Sequence, residues 1–152
     1  MRFLFLYLFC SLVSLAQAKQ YVKVIDGDSI VVDGVEMRLE GIDAPEYHQL
    51  CYRADKSSYP CGIEAFKYMK KLVQNQNLSC KNLGKDHYKR QIAVCFADGL
   101  DINQEMVKSG WAVAYDRYSR DYVDDEKLAK KKKKGLWQGK FMKPELWRRL
   151  QN

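Results

Sequence analysis

Apolar positions in the first half of the chain fall in short β-branched runs and only once at helical spacing. Tyr21 to Ile25 and Ser29 to Val32 are two such runs, split by Asp26-Gly27-Asp28, and Asp33-Gly34 is a two-residue hairpin signal leading into Val35 to Leu39. This predicts three antiparallel strands, or two with a bulge. Pro45 then ends the pairing and opens a polar loop, His48 to Pro60. The run "CGIEAFKYMKKLVQNQN" follows, with Ile63, Phe66, Met69, Leu72 and Val73 three or four apart, and predicts a helix packed on a sheet. Leu78 to Leu83 and Gln91 to Ala97 read as two further strands around the polar link "GKDHYKR", with Asp98-Gly99 as a turn. Asp101 with Gln104 predicts the capped start of a short helix closed by Gly110. Trp111 to Tyr115 reads as extended, and Ser119 as the cap of a last helix that runs to the lysines 130–134 and stops at Gly135.

Five strands, a helix between the third and fourth, and helices at the end describe an α+β, mainly β chain. Its expected closure is a five-stranded OB-type Greek-key barrel with about three helices. The length of 152 residues suits one domain with a real core and is short for two. No internal repeat or linker interrupts it.

The first residues change the picture of where that domain works. Arg2, the apolar stretch Phe3 to Leu15, and Ala16-Gln17-Ala18 read as a secretory signal over 1–18, leaving a domain at 19–152 that is secreted or periplasmic. The apolar run falls short of the roughly 20 residues that span a bilayer, so no membrane contact is expected unless the signal stays uncut. Phe9 before Cys10 argues against lipid attachment there, where a small residue would be wanted.

Outside the signal stand Cys51, Cys61, Cys80 and Cys95, an even number in an oxidising compartment, so two disulfides are expected, with three pairings open. Cys80 with Cys95 would join adjacent strands, and Cys51 with Cys61 would close the polar loop. Zinc is disfavoured by the absence of any C-x2-C pair and by a total of two histidines, His48 and His87. The formal charge of +7 falls by one unit with Arg2, to +6, and the pI is near 9.1. Such a domain meets polyanions, although charge alone does not choose among nucleic acid, anionic lipid and acidic polymers.

Carboxylates then give the sequence its chemistry. Asp26 and Asp28 flank Gly27, Asp43 and Glu46 follow the strand that carries Arg38, and a folded-back hairpin brings Asp28 near Asp43. Asp26 and Asp28 read alone are turn formers. Gathered with Asp43 they repel one another unless a cation neutralises them, and oxygen ligands suit Ca2+ or Mg2+. Arg38 and Arg90, each by itself a surface or ion-pair residue, complete a set that phosphodiester hydrolysis requires. That set is a cation for the phosphate charge, guanidinium groups for the five-coordinate transition state, and a carboxylate for the proton of water.

The blocks "VIDGDSIVV", "MRLEGIDAPE", "DHYKRQIAV" and "DINQEMVKSGWAVAY", followed by "GLW", resemble the thermonuclease family, the staphylococcal nuclease-like domains, from about Tyr21 to Trp137. The resemblance implies an OB-type barrel and a Ca2+-dependent nuclease acting on DNA and RNA with little sequence preference. By position, Arg38 and Arg90 look like the phosphate-clamping arginines and Glu46 like the carboxylate that orients or deprotonates the attacking water. Asp28 and Asp43 look like direct Ca2+ ligands, with the main-chain carbonyl of Ala44 as a third and Asp26 as an outer carboxylate. Tyr88 and Tyr115 look like substrate-binding residues. Tyr118 and Tyr122 offer further faces for bases, and Arg117 and Arg120 charge for phosphates.

Two positions depart from the family pattern. Ala44 stands where threonine is common, which leaves a carbonyl ligand intact but no hydroxyl. Lys89 replaces the frequent glycine of D-x-Y-G-R, so the turn either does without positive φ or carries strain. A monomer without a stable protein partner is expected. The alternative reading is a non-catalytic OB module that binds nucleic acid or a protein, and a third is a structural Ca2+ site; both would leave Arg38, Glu46 and Arg90 together without a task.

Overall fold

The computed structural model describes residues 20–151; the expected signal over 1–18, with Arg2 and Cys10, lies outside them. Strands β1 (Val22–Val24), β2 (Ser29–Val32) and β3 (Val35–Leu39) form the meander the pattern predicts, with β2 antiparallel to both neighbours. The β2–β3 turn has Asp33 and Gly34 both at positive φ, 49° and 83°, as the tight hairpin requires. After β4 (Ile42–Asp43) the polar loop contains two short strands, β5 (Cys51–Arg53) and β6 (Ser58–Tyr59). Helix α1 (Cys61–Val73) precedes β7 (Leu78–Lys85), β8 (Gln91–Ala97) and β9 (Leu100–Asp101). Then come α2 (Ile102–Lys108), β10 (Val113–Ala114), α3 (Val123–Lys131), a 3-10 turn at Gly135–Gln138, β11 (Gly139–Lys140) and α4 (Pro144–Gln151).

The main sheet runs β1-β2-β3-β8-β7, with β9 paired to β8, and β3–β8 is its parallel pair. Two small sheets, β10-β4 and β11-β5-β6, stand beside it. The chain is thus mixed α+β and mainly strands, as expected, but with four α-helices among the described residues where about three were expected. The expected closed five-stranded barrel is not drawn by main-chain pairing among the described residues. Where β1 and β7 approach, the side-chain amide of Gln20 spans the gap, donating to the Leu78 carbonyl (3.1 Å) and accepting from the Leu78 N–H (2.7 Å).

The core lies between this sheet and helices α1 and α2, with Ile30, Leu39, Ile42, Met69, Ala93, Ile102 and Met106 all sealed from solvent. On α1 the sealed line is Ala65, Met69 and Val73, while Ile63, Phe66 and Leu72 of the expected stripe are half-buried flanks. Asp101 accepts from the Gln104 N–H and starts α2 as predicted (2.9 Å). The last predicted helix starts later than expected. Ser119 takes the Asp121 N–H in a bend (3.2 Å), α3 begins at Val123, and Gly135 opens the 3-10 turn. Tyr122 is a core residue, its hydroxyl donating to Asp101 (3.1 Å), and offers no face to a base.

Both disulfides have the pairing the strands favoured. Cys80 and Cys95 are direct partners across β7 and β8, and Cys51 of β5 joins Cys61 at the start of α1. With its ends 15 positions apart in sequence, the Cys80–Cys95 bridge is expected to contribute about 3 kcal/mol by restricting the unfolded chain. Urea unfolding of Cys80→Ala/Cys95→Ala beside the intact chain measures this, and an unchanged midpoint would refute it.

Candidate active site

The carboxylates converge because the hairpin is short. Ser29 pairs with Arg38 across β2 and β3, so Asp28, one residue earlier, lies beside the arginine. Arg38 Nη1 meets Asp28 Oδ1 at 2.8 Å, and Nη2 reaches Asp43 Oδ1 at 3.3 Å. The Arg38 side chain is 16% exposed and the two carboxylates 8% and 2%, so the trio is largely desolvated. Asp28 Oδ2 also accepts the Ala44 N–H (2.7 Å), tying the Ala44 backbone to it. Close approach explains Gly27: a Cβ there would stand 2.6 Å from the Ala44 Cβ and 3.0 Å from that of Ala65. Asp43 is fixed by pairing with Val113 of β10.

Glu46 lies one turn beyond. Its carbonyl accepts from the Gln49 N–H (2.7 Å), and its own N–H donates to Gln49 Oε1 (3.3 Å). Gln49 is fully buried and also donates to the Met142 carbonyl (2.7 Å), joining the Glu46 turn to the chain before α4. A Cβ on Gly62 would come 1.8 Å from the Glu46 carbonyl, so this glycine lets the turn rest on the first turn of α1. From α4, Arg148 reaches both acids, Nη2 to Asp43 Oδ1 at 2.9 Å and Nη1 to Glu46 Oε1 at 2.8 Å. The Glu145 N–H donates to Asp43 Oδ2 (3.0 Å), so Asp43 also caps the start of α4. Gln49 and Arg148 are site residues that sequence reasoning missed. Pro144-Glu145 and the basic pair Arg148-Arg149 carried a helix signal, but nothing local pointed the helix at Glu46.

Arg90 and Tyr88 sit elsewhere, at the turn between β7 and β8. Arg90 Nε bonds Asp86 Oδ2 at 2.8 Å, and its guanidinium stacks over Tyr88, a residue 70% exposed. Those bonds outweigh the burial of Asp86 and hold its carboxyl below the usual range. The site does not join Arg90 to Arg38 by direct contact among the described residues. Register places Arg90 two residues before Ile92, the partner of Arg38, which is about 7 Å along the strand. Lys89 has φ 68°, so the turn keeps the left-handed conformation that glycine usually supplies and accepts the strain. Tyr115 packs on Tyr118, ring centres 4.9 Å apart. Its hydroxyl is pushed up by burial and by Glu145 and Asp43, which places it on the acidic side of the site.

Burial and the Asp28 charge push Asp43 up to about 6, against the pull of Arg148 and Arg38. Burial and Asp28 likewise push Asp26 up to about 7. Burial disfavours charge on Arg148, but Asp43 and Glu46 more than offset it and raise its affinity for the proton. A cluster that holds protons at these pH values is short of positive charge, and its donors are hard oxygens of the kind Ca2+ takes. Asp28, Asp43 and the Ala44 carbonyl fit such an ion by donor type, although among the described residues no three His, Cys, Asp or Glu side chains form a ready metal cage.

The raised carboxyls give a sign to pH dependence. From about pH 4 to 7 the unfolded chain has released these protons while the folded one still binds them, so stability is expected to fall as pH rises through that window. A Ca2+ ion binding the ionised cluster should remove the decline. Melting curves from pH 4 to 7 with chelator and with Ca2+ check both, and a melting temperature that rises with pH in chelator would refute the account.

Paired carboxylates, a buried guanidinium and a more open Glu46 make the equipment of a phosphodiester hydrolase, and comparison with known proteins agrees. The family profile described as staphylococcal nuclease homologue matches residues 36–139. The chain belongs to that family, a nuclease class of hydrolases. It is 34% identical over 117 residues to the succinoglycan biosynthesis protein ExoI of Rhizobium meliloti, covering 75% of this chain and 61% of that one. It is 35% identical over 136 residues to an uncharacterized endonuclease of Haemophilus influenzae, covering 84% and 71%. With an uncharacterized endonuclease of Escherichia coli O157:H7 it shares 34% over 135 residues, 84% of this chain and 82% of the other.

Proposed function

We propose that the protein is an exported, monomeric, Ca2+-dependent nuclease that hydrolyses the phosphodiester bonds of DNA and RNA with little sequence preference. The observation that carries this reading is Arg38 held against both Asp28 and Asp43, with Glu46 tied to the same cluster through Arg148. The OB-type barrel belongs to the same proposal, resting on family membership and on the strand order. Asp28, Asp43 and the Ala44 carbonyl would hold Ca2+, which when bound supplies charge neutralisation to the phosphate.

The chain's own residues account for the remaining chemistry. Arg38, with Arg90 across the parallel pair, binds the non-bridging oxygens and stabilises the extra negative charge of the five-coordinate phosphorus. Glu46 accepts a proton from water as its oxygen bonds to phosphorus, and the bond to the leaving oxygen breaks opposite, that oxygen taking a proton from solvent. Tyr88 and Tyr115 present faces and hydroxyls to the nucleotide, and the surface charge of the domain attracts the polyanion and makes binding fall with salt. Cleavage of a labelled single-stranded DNA by the purified chain from Lys19 onward tests this. Cleavage with Ca2+ and none with chelator supports it; a folded, Ca2+-loaded protein that leaves DNA and RNA intact refutes it.

A further inference from the structure

The guanidinium of Arg148 spans two groups with different tasks, the carboxylate of Asp43 and that of Glu46. It comes from a helix 102 residues away in sequence from Glu46 and beyond Gly139, where the family match ends. Apolar burial holds that helix only in part: Pro144 is buried and Trp147 half-buried, while Leu146 and Leu150 are 48% and 64% exposed. Polar bonds fasten it further, from Glu145 N–H to Asp43 and from Arg148 to both acids, with Gln49 holding the Met142 carbonyl just before the helix. Arg117 and Arg149 in turn grip Glu145. Helix α4 is therefore docked in part through the carboxylates of the site.

We propose that Arg148 is a positioning residue of the nuclease, setting the separation of Glu46 from Asp43 and holding Glu46 Oε1 so that the carboxylate is aimed at the attacking water. This rests on the nuclease reading above. Glu46 is a third exposed and has no other side chain fixing its carboxylate among the described residues, so without Arg148 it would spread over several rotamers. A planar fork with two separated donors can bridge two carboxylates, which a lysine ammonium cannot do with the same geometry. Misplacing a reacting group by about 1 Å costs on the order of 10²-fold in rate. Near the cation ligands, however, the same positive charge opposes Ca2+. Loss of Arg148 should thus move the two properties in opposite directions, weakening catalysis while leaving Ca2+ binding equal or tighter.

The test uses Arg148→Gln and Arg148→Lys in the full mature chain, with calorimetric Ca2+ titration beside steady-state cleavage of a single-stranded oligonucleotide at saturating Ca2+. For Arg148→Gln, kcat is expected to fall about 10²-fold, with KM changed less than about threefold and Ca2+ affinity equal or higher. Arg148→Lys should restore Ca2+ affinity to the wild-type value yet keep kcat at least about tenfold low. Unchanged or raised kcat in Arg148→Gln overturns the proposal and makes α4 a passive or obstructing cover. Weakened Ca2+ binding overturns it too. Should Arg148→Gln fail to fold, wild-type kcat in Arg148→Lys would overturn the requirement for the fork. A wild-type chain that binds Ca2+ and cleaves nothing defeats the nuclease reading itself, whereas an active wild type with an equally active Arg148→Gln defeats this inference alone.

Discussion

Arg38→Ala is expected to lower turnover about 10²- to 10³-fold, because it removes a preorganised donor from a site where water cannot replace it. The same change leaves Asp28 and Asp43 facing each other with one guanidinium fewer. Breaking a buried pair in this way typically costs about 3–5 kcal/mol, and protonation of Asp43 relieves part of it. Ca2+ should stabilise the variant more than the wild type, since the cluster has lost one of the two guanidinium groups that touch it. Single-turnover cleavage at saturating Ca2+, with a melting curve in the same buffer, separates the two effects. A fully folded Arg38→Ala with turnover within about threefold of wild type would remove Arg38 from the chemistry. Arg38→Lys distinguishes charge from shape: its ammonium can pair with one carboxylate, but it lacks the fork that reaches both.

Glu46→Gln should lose rate far more than it loses cation. A neutral amide keeps the size of the side chain and can still accept from Arg148, but it cannot take a proton from water. A positioned general base is worth roughly 10²- to 10⁴-fold. Ca2+ binding rests on Asp28, Asp43 and the Ala44 carbonyl in the proposed mechanism, none of which the substitution touches. Parallel measurement of kcat and of Ca2+ affinity decides the matter. If affinity falls and kcat at saturating Ca2+ survives, Glu46 is a ligand and another group handles the proton.

The acidic half of this site was legible because it is nearly local. Asp26, Asp28, Arg38, Asp43 and Glu46 fall within 21 consecutive residues, and Asp33-Gly34 dictates the register that brings Asp28 to Arg38. The cysteine pairs were legible only in part: adjacent strands and a closed loop fitted Cys80–Cys95 and Cys51–Cys61, but all three pairings stayed open in the sequence. What the sequence hid depends on docking. Strands β4, β6 and β11 are two residues each, too short to show a period, and β10, inside the piece read as extended, gave no sign of its partner; yet β10 fixes Asp43 and β11 anchors the chain leading to α4. Gln49 looks like any loop glutamine until its amide is seen to join Glu46 and Met142. Tyr122 misled in the other direction, an aromatic beside arginines whose ring is needed by the core.

The side-chain bridge from Gln20 to Leu78 has a consequence for how the protein can be made. A single amide closes the gap between the first and last strands of the sheet path, so the seam is sealed by a residue that belongs to no strand. In the exported form proposed above, a cut after Ala18 would leave Gln20 as the second residue and the seam intact. A chain that began at Tyr21 would lack both hydrogen bonds to the Leu78 peptide group. The proposed cut and the seam would thus lie within two residues of each other.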